Sequence, residues 1–267
     1  MRIAIITWWY AEGMGYSENC LPPALASFGH EVHLISSDLQ PDFPNYKEAY
    51  EPFIGPQEQP TGTSSTNGFT LHRLPHSRTR LGIYIHGLYE CLEKLNPDVI
   101  QCFGIPQRST YQAAWFSFRK KTPLFLEEHT HLSTIRTPNN WQHRLNNFLV
   151  KNFLGPFVAV NSQKCYAIAK DVEEVTLKYF GYPQRKLTVQ SLGVDTLIFH
   201  PILSQKDHIE RNQLRSLLKI QENEIVFIYS GRFSQDKSPQ VLASAVAKLK
   251  GDGYPVRGIF IGAGKKR

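Results

Sequence analysis

The sequence predicts an α/β protein built on a parallel sheet. Short apolar, β-rich runs alternate with helical patterns, and glycines stand at the junctions between them. The run R-I-A-I-I-T at 2–7 reads as a buried strand. A loop with Gly13 and Gly15 follows, then a helix with apolar Leu21, Leu25 and Phe28. Pro22 and Pro23 fall near its first turn, where a missing N–H costs least. Gly29 ends it, and 31–36 reads as a second strand. This is one βαβ unit, which implies a right-handed crossover between parallel strands.

Residues 40–68 break that rhythm. Prolines 41, 44, 52, 56 and 60 and a polar run at 61–68 predict a long connection, of a kind usually functional or mobile. Strands are expected again at 69–74, 98–102, 124–127, 157–161 and 187–191. Helices are expected at 83–95, 110–119, 141–153 and 163–180. After a polar stretch at 204–223, with a short amphipathic helix around 214–218, a second βαβ array opens. Its strands fall at 225–230 and 258–262, with a helix over 239–249. The expected organisation is a first domain over 1–200, a linker over 201–222 and the start of a second domain over 223–267. Two strands and one helix are too few for an independent core, so the chain is expected to end within that domain.

Length and composition narrow the classes. With 267 residues, 41% hydrophobic and 20% charged, the chain has the profile of a soluble globular protein. No apolar run nears the ~18 residues that span a bilayer. The opening apolar run is too short for a signal-peptide core. Cys20, Cys91, Cys102 and Cys165 lie far apart without a C-x-x-C pair, which predicts free thiols and a cytoplasmic protein. Net charge is +7, with 12 basic against 6 acidic side chains in 201–267 and 18 against 17 before it. The C-terminal excess suits a phosphate-bearing ligand or a solvated basic face. No aromatic residues are interleaved with the basic ones, so nucleic acid is not an expected partner.

Four segments could carry chemistry. In E-G-M-G-Y-S-E-N at 12–19, the glycines admit a ligand near the backbone and the next helix offers unpaired N–H groups. Glu18 replaces the third glycine of the dinucleotide fingerprint, which disfavours a nicotinamide-dependent oxidoreductase. In E-E-H-T-H at 127–131, two imidazoles and two carboxylates stand at the C-terminal end of a strand, where open parallel sheets bind ligands. They could move protons or, less readily, ligate a metal, because no third ligand is evident. A sharp turn would let His129 and His131 converge. In S-G-R-F-S-Q-D-K at 230–237, Arg232 and Lys237 flank a glycine-containing turn suited to a diphosphate or simply to solvent. Gly262 and Gly264 follow the next strand and form a phosphate-compatible turn.

Taken in order, these segments resemble the family-four glycosyltransferases of the GT-B fold, in which two Rossmann-like domains face each other across a cleft. The resemblance is carried by G-H-E-V-H at 29–33, P-D-V-I at 97–100, and L-G-V-D-T-L-I-F-H-P at 192–201. The last is similar to the family's N-G-V-D hinge. S-G-R-F-S-Q-D-K with F-I-G-A-G at 260–264 is similar to the family's G-R…K and G-x-G loops. G-M-G-Y-S-E-N at 13–19, with Leu21 and Pro22, resembles the first loop of one subgroup.

The resemblance implies a retaining transferase that moves a sugar from a nucleotide-sugar donor to a polysaccharide or lipid-linked acceptor. Arg232 and Lys237, with Gly231 and Gly262, would hold the donor diphosphate and neutralise the leaving nucleotide, without a metal or other cofactor. His129 matches the active-site histidine. Gly13, Gly15, Tyr16, Glu18 and Asn19 would line the acceptor side. Peripheral contact with the inner membrane face is compatible with the basic balance.

Two departures stand out. Leu192 replaces the usual hinge asparagine, and the family's E-x7-E segment would lie beyond Arg267. The expectation is little transferase activity from these 267 residues alone, with an apolar sheet face left exposed. The alternative is a non-catalytic binding subunit completed by a separate polypeptide.

Overall fold

The computed structural model describes residues 1–41, 43, 46–135, 141–196, 198–235 and 237–262. In chain order it begins β1 (Arg2–Thr7), α1 (Ser17–Ser27), β2 (Glu31–Ser37), α2 (Tyr46–Ala49), α3 (Glu51–Ile54) and β3 (Gly62–Thr66). Next come β4 (Phe69–Leu74), β5 (His76–Thr79), β6 (Gly82–Ile85), α4 (Leu88–Leu95), β7 (Val99–Phe103) and α5 (Arg108–Lys120). Then follow β8 (Leu124–Glu128), α6 (Trp141–Leu149), a π-helical turn (Val150–Leu154), α7 (Gly155–Asn161), β9 (Lys164–Ala167) and α8 (Lys170–Phe180). The chain continues with β10 (Leu187–Val189), α9 (Gln205–Leu217), β11 (Ile225–Ser230), α10 (Pro239–Gly251) and β12 (Val256–Ile261).

Two compact units divide these elements: residues 1–42 with 56–193, and residues 43–55 with 194–267. The first boundary falls seven residues before the expected one at 200. The expected linker 201–222 carries the whole of α9, which a Ser204–Asp207 capping box starts.

Unit 1 is the expected α/β layer structure. Among the described residues, eight strands join in the order β10-β9-β8-β7-β1-β2-β4-β3, parallel except for β3. Alternate residues of β1 serve opposite faces. Ile3 and Ile5 pack with Val32, Leu34 and Leu71, while Ala4 and Ile6 pack with Ile35, Ile100 and Leu126. Burial on both faces is why the strand reads as a continuous apolar run. Each fully buried Ile or Leu contributes roughly 1.5–3 kcal/mol. β1 lies between β2 and β7, so the strand order reverses there, and parallel sheets open a ligand crevice at the C-terminal ends of such strands.

Several expectations change in unit 1. The connection at 40–68 contains α2, α3 and the edge strand β3, which pairs with β4 through Asn67 and Gly68, at φ 45° and 82°. An Asn-Gly pair in this conformation is a strong hairpin signal. Residues 83–85 are strand rather than helix. They pair with β5, and Gly87, at φ 73°, separates them from α4. Residues 157–161 form α7 rather than a strand, with Val158 and Ala159 buried and Val160 78% exposed. The strand is β9 instead, where Cys165 and Ala167 alternate inward, so the helix expected from 163 begins only at Lys170.

In unit 2, β11 and β12 pair in parallel from Ile225↔Val256 to Ser230↔Ile261. Apolar side chains there remain open to solvent, Ile228 by 63% and Ile261 by 57%. Gly264, Leu197 and Asp236, which belong to the motifs above, lie outside the described residues.

Candidate active site

In unit 1 the crevice is built by the segments that leave β1, β7 and β8. Trp8 and Trp9 follow β1 directly. Ser37 Oγ donates to the Trp8 carbonyl at 2.5 Å and Thr7 Oγ1 to the Trp9 carbonyl at 3.0 Å, which fixes both residues. The indoles meet edge to face, and Trp9 meets Tyr16 in the same way at 5.5 Å between ring centres. After β7, Gly104 takes φ 76°. A Cβ there would come within 3.0 Å of the Gln107 side chain and 3.5 Å of Trp8. Trp8, Trp9, Gln107 and the β5–β6 hairpin residues Arg78, Thr79 and Gly82 line a cavity of about 250 Å³. Aromatic walls with a few polar groups suit a small ligand with both polar and apolar faces.

Glu128 organises the end of β8. It is 1% exposed, and its Oε2 accepts from the Ile105 N–H at 2.7 Å. Its Oε1 accepts from the His129 and Thr130 N–H groups and from Thr130 Oγ1, at 2.6–3.0 Å. A buried carboxylate with four donors is fully satisfied and holds the β7 and β8 ends together. Glu127 has another role. Its Oε1 lies 2.7 Å from His129 Nε2, and its Oε2 accepts from Gln101 at 3.2 Å. The His129 ring meets Phe103 edge on, and its side chain keeps 35% of its surface exposed.

The charges in this cluster are coupled. Burial pulls the His129 pKa down, but the Glu127 hydrogen bond and the charges of Glu127, Glu18 and Glu128 outweigh it and leave it raised. Glu18 is pushed up by burial and by Glu127, against the pull of its own backbone hydrogen bond and of His129. Glu18 and His129, about 110 residues apart in sequence, thus feel each other's charge. His131 turns elsewhere, to Asp171 at 2.9 Å, so the two imidazoles do not converge. Among the described residues, no three His, Cys, Asp or Glu side chains gather as metal ligands would.

In the first loop, Asn19 Nδ2 donates to the Ala11 carbonyl at 2.7 Å and Oδ1 accepts from the Tyr16 N–H at 3.4 Å. Asn19 thus clasps the loop that presents Tyr16 at the start of α1. Gly13 takes φ 77°, and a Cβ at Gly13 or Gly15 would meet open space. The sequence reading did not single out the Trp8–Trp9 pair, Gln107 or the hairpin wall. Two tryptophans directly after a buried strand were the available signal for the first.

Unit 2 places its own four residues at the C-terminal ends of β11 and β12. The Gly231 N–H donates to the Ile261 carbonyl at 2.9 Å, and a Cβ on Gly262 would fall 1.8 Å from the Gly231 oxygen. Gly262 therefore permits a close crossing of two backbones, while a Cβ on Gly231 would press on the Tyr229 ring at 3.3 Å from its hydroxyl. Tyr229 donates to the Arg232 carbonyl at 2.7 Å, and the Arg232 guanidinium lies 4.9 Å from the centre of the Phe43 ring. Lys237 is exposed, just before α10.

An ionised His129–Glu127 pair favours folding most strongly below the ordinary histidine pKa. That contribution is lost as pH rises through the raised value. Histidine resonances followed by NMR should show His129 titrating above about 6.5 and falling in Glu127→Gln. An unchanged midpoint in the variant would contradict the pairing.

Solved structures share this architecture. A glycosyltransferase from Rickettsia africae ESF-5 aligns with 98% of this chain and 60% of its own, at TM-score 0.56 and 17% identity. The E. coli "Trehalose-6-phosphate" structure bound with UDP-2-fluoro glucose aligns over 100% and 65%, at TM-score 0.54 and 11% identity. The chain thus has the GT-B type of fold and spans about 60–65% of the length of these structures. No curated protein sequence matches it. The profile of glycosyltransferase family 4 matches residues 21–196, well over half of the chain, and the chain belongs to that family.

Proposed function

We propose that this chain serves a retaining glycosyltransferase that moves a sugar from a nucleotide-sugar to a glycan or lipid-linked acceptor in the cytoplasm. The observation that carries the reading is His129, paired with Glu127 at 2.7 Å at the C-terminal end of β8, within a family 4 domain. In this reading the cavity receives an acceptor sugar, with Gly13, Gly15 and Tyr16 at its approach and Asn19 fixing their loop. His129, whose charged form Glu127 favours, faces negative charge that develops near the transferred sugar.

Arg232 and Lys237 hold the donor diphosphate, with Gly231 and Gly262 giving the backbone room. The guanidinium fork and the ammonium replace a metal ion in stabilising the leaving nucleotide. The bound UDP-sugar of the E. coli structure, a protein only 11% identical, supports a nucleotide-sugar without identifying the base. In the full enzyme, Arg232→Ala with Lys237→Ala should weaken nucleoside diphosphate binding by calorimetry about 100-fold, at ~1.5 kcal/mol per charge-assisted contact. Adding EDTA should leave binding unchanged. Wild-type affinity in the double variant would overturn the donor assignment.

A further inference from the structure

The long connection at 40–68 lends part of itself to unit 2. Residues 43–55, which hold Phe43, α2 and α3, cluster with 194–267, while the chain on either side of them belongs to unit 1. Helices of four residues have no stability of their own, so side chains must fix the segment. Tyr46 is buried, and its hydroxyl donates to the Gly55 carbonyl at 2.8 Å, which ties the start of α2 to the residue after α3. Tyr50, between the two helices, stacks on Tyr46 at 6.0 Å between ring centres and meets Phe43 at 5.1 Å.

Phe43 in turn meets the loop that follows β11. The Arg232 guanidinium lies over its ring at 4.9 Å from the centre, inside the ~6 Å reach of a cation–π contact. Arg232 is thus held at both ends, because Tyr229 donates to its carbonyl at 2.7 Å while Phe43 seats its guanidinium. Three rings therefore lead from a buried tyrosine to the cation. An aromatic ring can seat a guanidinium while its in-plane N–H donors serve oxygen acceptors. A long side chain ordered before its ligand arrives also loses less entropy on binding.

From these observations we propose that Phe43 is a positioning residue for donor binding, and that 43–55 is an aromatic strap that sets the Arg232 guanidinium for the diphosphate. Phe43 acts through Arg232 rather than on the diphosphate itself. The inference deepens the proposed function and rests on it for the role of Arg232. It also gives the proline-rich connection at 40–68 a task in the half of the molecule to which the sequence does not join it directly.

The test is calorimetry on the full enzyme with UDP, GDP, ADP, CDP and dTDP, followed by a double-mutant cycle with the tightest of them. Phe43→Ala should weaken binding about threefold to tenfold. In enzyme that already carries Arg232→Ala, the same change should cost less than about 1.5-fold, because the ring then has no cation to seat. Phe43→Tyr keeps an aromatic face and should bind like wild type. Phe43→Leu keeps the apolar bulk without that face and should bind like Phe43→Ala.

Three results would overturn the inference and leave the role of Arg232 standing. They are wild-type affinity in Phe43→Ala, an equal loss with and without Arg232, and full rescue by leucine, which would make the contact one of packing alone. Wild-type affinity in Arg232→Ala would instead remove the donor assignment, and the inference with it. So would failure of the wild-type enzyme to bind any of the five diphosphates.

Discussion

In His129→Ala, sugar transfer by the full enzyme is expected to fall about 10²–10⁴-fold, with donor binding nearly unchanged. His129 sits at the C-terminal end of β8 with its ring partly open to solvent, and Glu127 at 2.7 Å sets its orientation and favours its charge. Buried Glu18 adds to the negative field around it. A cation in such a field is poised before the reaction and needs no reorganisation as charge develops. The variant should still fold, because Glu127 keeps its bond to Gln101. Activity within about threefold of wild type, with the fold intact, would remove His129 from the active site.

The second large effect is on stability. In Gly155→Ala, the new Cβ would lie 1.6 Å from the Phe180 carbonyl oxygen and 3.0 Å from that of Val150. The neighbouring contact is as tight, since a Cβ on Gly181 would come within 2.1 Å of the Lys151 oxygen. The start of α7 and the end of α8 therefore touch backbone to backbone, and neither can retreat without opening the packing around buried Val158 and Phe180. The expected cost is at least about 3 kcal/mol, a fall in melting temperature of roughly 6–12 °C. Gly15→Ala is the control, because a Cβ there meets open space. It should change stability by less than about 0.5 kcal/mol. Equal melting of the two variants would contradict the account of this crossing.

The parts of the fold legible in the sequence were those with one strong local signal. β1 and β4 match their apolar runs because burial dictates both ends. The 157–161 segment misled because a short apolar run looks the same in a buried helix and a strand, and only packing, here against α5, decides between them. The β3–β4 hairpin carries a local signal in Asn67 and Gly68, but the proline-rich and polar run before it reads as a long connection instead. For the candidate site, position at a strand end pointed to His129. The influence of Glu18 on His129, and the joining of the β5–β6 hairpin to the tryptophans, arise between distant segments that no local pattern encodes.

The most direct test of transfer is a panel of nucleotide-sugars offered to the full enzyme with a lipid-linked acceptor, with released nucleoside diphosphate and product anomer both followed. The account expects one donor to be consumed with its anomeric configuration retained, in the presence of EDTA. It also expects that turnover to collapse in the Arg232→Ala, Lys237→Ala enzyme. Failure of every donor to react, or turnover that survives loss of both cations, would contradict it.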